Sequence, residues 1–237
     1  WPSVDGQLLG TNNLGSTFPV ILDPNLSSNS VKISAGIKEN GINNSRIIYP
    51  FYQPYIVDIT LQPGKIDTFR PTLNYDTSAT IIVLEDFENP NQLIFTDDQD
   101  GNPNTELIHQ NQEVFEGNYS GLMVIDSANL DCTVATSTHY YNLQPTGTSF
   151  PVYLELDYKT NTPFQIGVIA YYANGSSEFI YKGGGNATDT WKKIYFNITS
   201  EVYGSAATEF AVVLRALKYP NTEQALIYLD NLKLLHF

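Results

Sequence analysis

The chain is poor in sulfur and in cations. Cysteine occurs once in 237 residues, at Cys132, and methionine once, which excludes an intramolecular disulfide and a cysteine-based zinc cluster. No apolar run approaches the ~20 residues that a membrane-crossing helix needs. No long window carries an i, i+3, i+4, i+7 apolar stripe either, so little helix is expected. Catalytic signatures are missing as well. His109, His139 and His236 share no ligand spacing, no G-x-S-x-G elbow occurs, and Cys132 has no recognisable catalytic context. Glu155 and Asp157 alternate onto one strand face and point in parallel, whereas a glycosidase pair faces across its substrate. No enzymatic activity is expected.

The net charge is -13, which argues against nucleic acid or an anionic membrane face as the main partner. That charge is unevenly placed. Residues 1–84 hold five Lys and Arg against six Asp and Glu, and residues 85–237 hold seven against nineteen. Between Arg70 and Lys159 there is no cation at all, while eleven carboxylates from Glu85 to Asp131 fall in that stretch. It reads either as a solvated acidic surface or as the seat of a cation such as calcium. The cluster from Asp97 to Gly101 fails as an EF-hand loop, because aligning Gly101 with the required glycine puts Thr96 and Leu107 at the end ligand positions.

What is plentiful is aromatic: 16 Tyr and 12 Phe, residues suited to the half-buried pleated surface of a sheet. Short alternating runs separated by turn signals such as Asp100-Gly101, Asn174-Gly175 and Gly183-Gly184-Gly185 predict antiparallel sandwiches. The fold class is therefore all-β, with two sandwich domains. The change in charge and composition places their boundary between Tyr75 and Thr80, giving domains of residues 1–77 and 78–237.

In the first domain, Asp5-Gly6 reads as a hairpin turn. Tyr55, Val57, Ile59 and Leu61 share a strand face that is expected to turn at Gln62-Pro63-Gly64-Lys65 into a second strand, Ile66–Leu73. The opening VDGQLLG and the closing PYIVDITLQPGKIDTFRPTLNY resemble PEGA-type surface domains of bacterial envelope proteins. That resemblance implies a spacer or binding module, an extracellular, cell-surface location of Bacteroidetes type, and a lipid anchor upstream of Trp1 as the one link to a membrane.

In the second domain, Val152, Leu154, Leu156 and Tyr158 form one strand face, Ile194, Phe196 and Ile198 another, and Phe210, Val212 and Leu214 a third, which should meet in a core. Their opposite faces carry Tyr153, Glu155, Asp157, Lys193, Tyr195, Asn197 and Arg215. Such a surface reads either as ordinary wet sheet or as a sugar site, where rings stack on a pyranose and planar polar groups take its hydroxyls. Tyr140-Tyr141 and Tyr171-Tyr172 add to Tyr153 as candidate platforms, with Glu155 and Arg215 as polar partners.

The order of motifs from Glu85-Asp86-Phe87-Glu88 through Gly117-Asn118-Tyr119-Ser120-Gly121 and Trp191 to Asp230-Asn231 resembles the galactose-binding-like jelly roll of carbohydrate-binding modules. The resemblance implies capture of a polysaccharide or oligosaccharide. It also implies a structural calcium held by Asp86 and Glu88 on the first strand, Ser120 through its backbone carbonyl, and Asp230 on the last strand. Many sugar-binding members carry a Trp shortly after the FE element. Asn89–Phe95 has none, which favours the competing class, a structural or adhesive surface protein whose jelly roll binds another protein or serves as scaffold.

Overall fold

The computed structural model describes every residue except 12–14, 24, 142, 144–149 and 220–222. The chain divides into two compact units, one of Trp1–Lys38 with Arg46–Ala79 and one of Glu39–Ser45 with Thr80–Phe237. The segment Glu39–Ser45, which the sequence reading leaves in the first domain, is thus grouped with the second.

The first unit holds β1 (Pro2–Val4), β2 (Gln7–Leu8), β3 (Asn29–Ile33), β4 (Gly36–Lys38), β5 (Arg46–Ile48) and β6 (Tyr55–Ile59). Four of these make an antiparallel sheet in the order β2-β1-β3-β6, and β4 pairs with β5. Asp5 and Gly6 take φ 49° and 80°, as the two central residues of a type I′ hairpin require. The Asp5 carboxylate anchors the turn by accepting Asn29 Nδ2 at 2.8 Å and Ser30 N at 2.7 Å. The expected hairpin through Pro63-Gly64 is not formed. β6 pairs with β3 instead, and Ile66–Leu73 runs without strand pairing. Pro71 lacks an amide proton in the middle of that stretch and weakens any ladder there.

The second unit is an antiparallel sandwich. β7 (Thr80–Glu85), β9 (Leu107–Gln110), β10 (Ser120–Ile125), β12 (Tyr153–Thr160), β15 (Thr188–Asn197) and β17 (Ala225–His236) form one sheet. β8 (Asp97–Asp98), β11 (Asp131–Ala135), β13 (Phe164–Tyr171), β14 (Ser177–Gly185) and β16 (Glu209–Leu217) form the other, and a short helix α1 (Thr199–Gly204) precedes β16. The chain crosses between sheets at nearly every step, which is the winding of a jelly roll. The facing side chains expected from alternation, including Leu154, Leu156, Ile194, Phe196, Val212 and Leu214, do share one buried core. The glycines 183–185 lie in β14 and are not a turn. A Cβ on Gly184 would lie 1.7 Å from the Phe164 carbonyl oxygen, and one on Gly185 2.4 Å from the Phe164 ring. They allow β13 to approach closely.

Two of the motifs that suggested a jelly roll meet beside the point on β17 where its pairing passes from β10 to β7. Phe87, fully buried and at φ 59°, lays its ring where a side chain on Gly121 would stand. Glu88 accepts the backbone N–H groups of Asn118 and Tyr119 at 2.9 and 3.1 Å. The FE and SG elements are therefore two halves of one packing and hydrogen-bonding contact.

Candidate binding face

β-Pairing sets one row of side chains across the outer side of the five-stranded sheet: Tyr181, Gly167, Val213, Ala135 and Asp97. The neighbouring rows are Phe179, Ile169 and Ala211, then Ser177, Tyr171 and Glu209. On the other side stand Gln165, Arg215 and Thr133. Ala135, Ile169, Ala211 and Val213 form a small buried floor, with Tyr171 and Tyr181 packed against it. That floor is fully covered, so the accessible part of this face is the layer of rings packed over it.

Two aromatic pairs line it. Phe179 and Tyr181 stack with centroids 6.3 Å apart and planes at 26°, and Phe179 is 42% exposed. His139 stacks on Tyr171 at 4.3 Å and 19°. Polar groups stand between and beyond the rings. Glu209 Oε2 lies 2.8 Å from His139 Nδ1, its carboxylate also receives the Tyr141 hydroxyl, and both bonds hold its carboxyl below the usual range. The Tyr171 hydroxyl is pushed up by burial and then by the charges of Asp97 and Glu209. Arg215 Nη2 donates to Asp131 Oδ2 at 2.7 Å and also bonds Tyr181. At the Arg215 end, Gln165, Gly183–Gly185, Leu217 and Tyr219 line a cavity of about 330 Å³.

Of the residues expected to bind sugar, the structure brings Tyr141, Tyr171 and Arg215 to this face. Tyr140, which bridges to Phe210, and Tyr172, just beyond β13, instead pack against the core. Phe179, Tyr181, His139, Glu209 and Asp97 were not anticipated. The alternation Phe179–Tyr181 carried the signal, obscured by the glycines that follow and read as a turn.

Tyr153 and Glu155 belong to the other sheet and are each 1% exposed. The outer side of β12 was expected to be open. It is covered instead: Tyr153 donates its hydroxyl to Glu39 Oε1 at 2.7 Å, and Asn197 Nδ2 donates to the same oxygen at 2.7 Å. Lys193 Nζ lies 3.2 Å from Glu155 Oε2 and 3.6 Å from Asp157 Oδ2. A second loop closes the middle of the sheet, with Phe115 against Trp191 at 5.7 Å and Glu113 accepting Lys159 Nζ at 2.7 Å. Alternation separates two faces but does not show which one a distant loop will cover.

The side chains of the four residues expected to hold calcium are engaged in hydrogen bonds. Among the described residues no three of His, Cys, Asp or Glu converge as a metal site. Asp86 Oδ1 accepts Glu88 N, while both Glu88 oxygens are occupied by the N–H groups of Asn118 and Tyr119. The Ser120 hydroxyl donates to the Glu113 carbonyl at 2.6 Å and receives Gln110 Nε2. Asp230 Oδ2 accepts Phe115 N and Glu116 N at 3.2 and 3.1 Å, and Oδ1 accepts Asn231 N at 2.8 Å. Burial pushes the Asp230 carboxyl up to about 6. In this arrangement Asp86, Glu88 and Asp230 each close a loop by accepting backbone N–H groups.

No family model matches the sequence, and no curated protein does. Among solved structures, the chain is similar to a bacteriophage CBA120 tailspike enzymatic domain at 8% identity and TM-score 0.42, covering 56% of this chain and only 18% of that one. A carbohydrate-binding module of the β-sandwich superfamily matches at 10% identity and TM-score 0.46, over 87% of this chain and 72% of that one. A xylan-binding family 22 module from Paenibacillus barcinonensis matches at 13% identity and TM-score 0.43, over 65% and 94% respectively. At TM-scores below 0.5 the functional reading rests on the face itself.

Proposed function

We propose that the second unit is a non-catalytic glycan-binding module whose ligand lies on the aromatic outer side of the five-stranded sheet. The observation that carries this reading is the pair of ring stacks, Phe179 with Tyr181 and Tyr171 with His139, on one outer sheet face. Flat rings suit the C–H faces of a pyranose. Glu209, Asp97, Arg215 and Gln165 share that sheet face and offer both acceptors and donors. The surplus of carboxylates from residue 85 onward favours uncharged glycans over uronate-bearing ones. On this reading the protein works at the cell surface, with the first unit as a spacer.

A glycan array probed with the full chain tests the proposal. Specific binding is expected, and Phe179→Ala, at the exposed ring, should weaken it about tenfold or more with little change in melting temperature. A blank array with folded protein would overturn it and favour a protein-binding or scaffolding role.

A further inference from the structure

The first unit contains an apolar cavity of about 1080 Å³, lined among others by Val4, Phe18, Val31, Ile33, Ile37 and Phe69. Small-molecule sites typically run to roughly 300–1,000 Å³, so there is room for an extended hydrocarbon. Val4, Val31 and Ile37 are buried against its wall, whereas the segments that flank it, 15–22 and 61–73, pair with no strand. The sheet thus contributes apolar side chains to the lining of this space.

The charges at its rim are cationic. Lys38 and Arg46 face each other directly across β4 and β5, and Lys65 also lines the cavity, against a single carboxylate, Asp67. Among the described residues none of these three cations has an ion-pair partner. Like charges directly opposite on a hairpin are unfavourable, and an anion between them removes the penalty. A carboxylate suits the guanidinium fork of Arg46.

We propose that this cavity binds a free long-chain carboxylate, with its hydrocarbon against the apolar wall and its head group between Lys38 and Arg46. This site is independent of the glycan reading, since it lies wholly within the first unit.

The test uses the full chain with cis-parinaric acid as a fluorescent probe, displaced by palmitate or by hexadecanol. Saturable probe binding is expected, with palmitate displacing it about tenfold better than the uncharged alcohol. The double variant Lys38→Ala/Arg46→Ala should lose about tenfold in affinity for palmitate. Both side chains are exposed, so that variant should fold normally, and Val31→Phe, which fills the cavity, should reduce probe uptake. Failure of the probe to saturate, equal displacement by acid and alcohol, or unchanged affinity in the double variant would each overturn the proposal. So would sedimentation showing that a second copy of the chain covers the cavity.

Discussion

Gly121→Ala should destabilise the second unit by about 1–3 kcal/mol, and that loss should vanish when Phe87 is also truncated. A Cβ at position 121 would lie 2.4 Å from Phe87 Cζ, 2.5 Å from Cε1 and 3.0 Å from Leu107 Cδ1, against roughly 3.5–4.0 Å for relaxed carbon contacts. The ring would have to retreat by about 1 Å to restore such a contact. It has nowhere to go, because Phe87 is fully buried and its amide is tied to Glu85 Oε1 at 3.1 Å. Phe87→Ala alone removes a core ring and should cost about 3–5 kcal/mol. In the double variant the new methyl enters the space the ring has left, so the combined loss should fall short of the sum by about 1–3 kcal/mol. Equilibrium urea unfolding of all four proteins, followed by fluorescence and circular dichroism, measures this coupling. Strict additivity would refute the claim that FE and SG form one packing contact.

Other outcomes follow from buried charges and thiols. Asp230 holds its proton more tightly when folded, since burial raises its carboxyl from 3.8 to about 6. Stability linked to it is present below about pH 4 and lost as pH rises toward about 6, by up to about 3 kcal/mol. Thermal melts from pH 4 to 7 should show that decline, and Asp230→Asn should flatten it; a slope unchanged in the variant would contradict the assignment. Because N–H donors already occupy Glu88 and Asp230, exhaustive dialysis against a chelator should leave the melting temperature unchanged. A fall that calcium reverses and Asp230→Ala abolishes would establish the metal site. Cys132 is fully buried and its thiol is pushed up to about 12, first by burial and then by the charges of Asp100 and Asp131. It should resist a disulfide reagent until the protein unfolds, and rapid labelling of native protein would argue against that burial.

Much of the fold was legible because it rests on local rules. Asp5-Gly6 announced its turn through backbone permissiveness, and the alternation in β12, β15 and β16 sorted core from non-core correctly. Events at long range were not legible. Pro63-Gly64 does make a turn, with Lys65 N bonded to Gln62 O at 3.2 Å, yet no hairpin follows, since β6 finds a better partner in β3. The glycines of β14 look like a loop in sequence and serve as clearance for a neighbouring strand. The candidate face was half visible: Tyr141, Tyr171 and Arg215 could be named, but Tyr153 and Glu155 lie under Glu39 and Lys193, which no local pattern foretells.

The position of β17 bears on how the protein is made. This strand pairs with β12 along one edge and with β10 and then β7 along the other, so three earlier strands share a neighbour that is synthesised after all of them. While a ribosome is still short of residue 225, Leu84, Met123 and Leu154 wait beside an empty slot in the sheet. The unit therefore closes late and over long sequence separations, which slows folding and leaves apolar strand faces open to misassociation. A chain cut short before this strand would be a hazard to its neighbours and a target for proteolysis, with little chance of serving as a partly working protein.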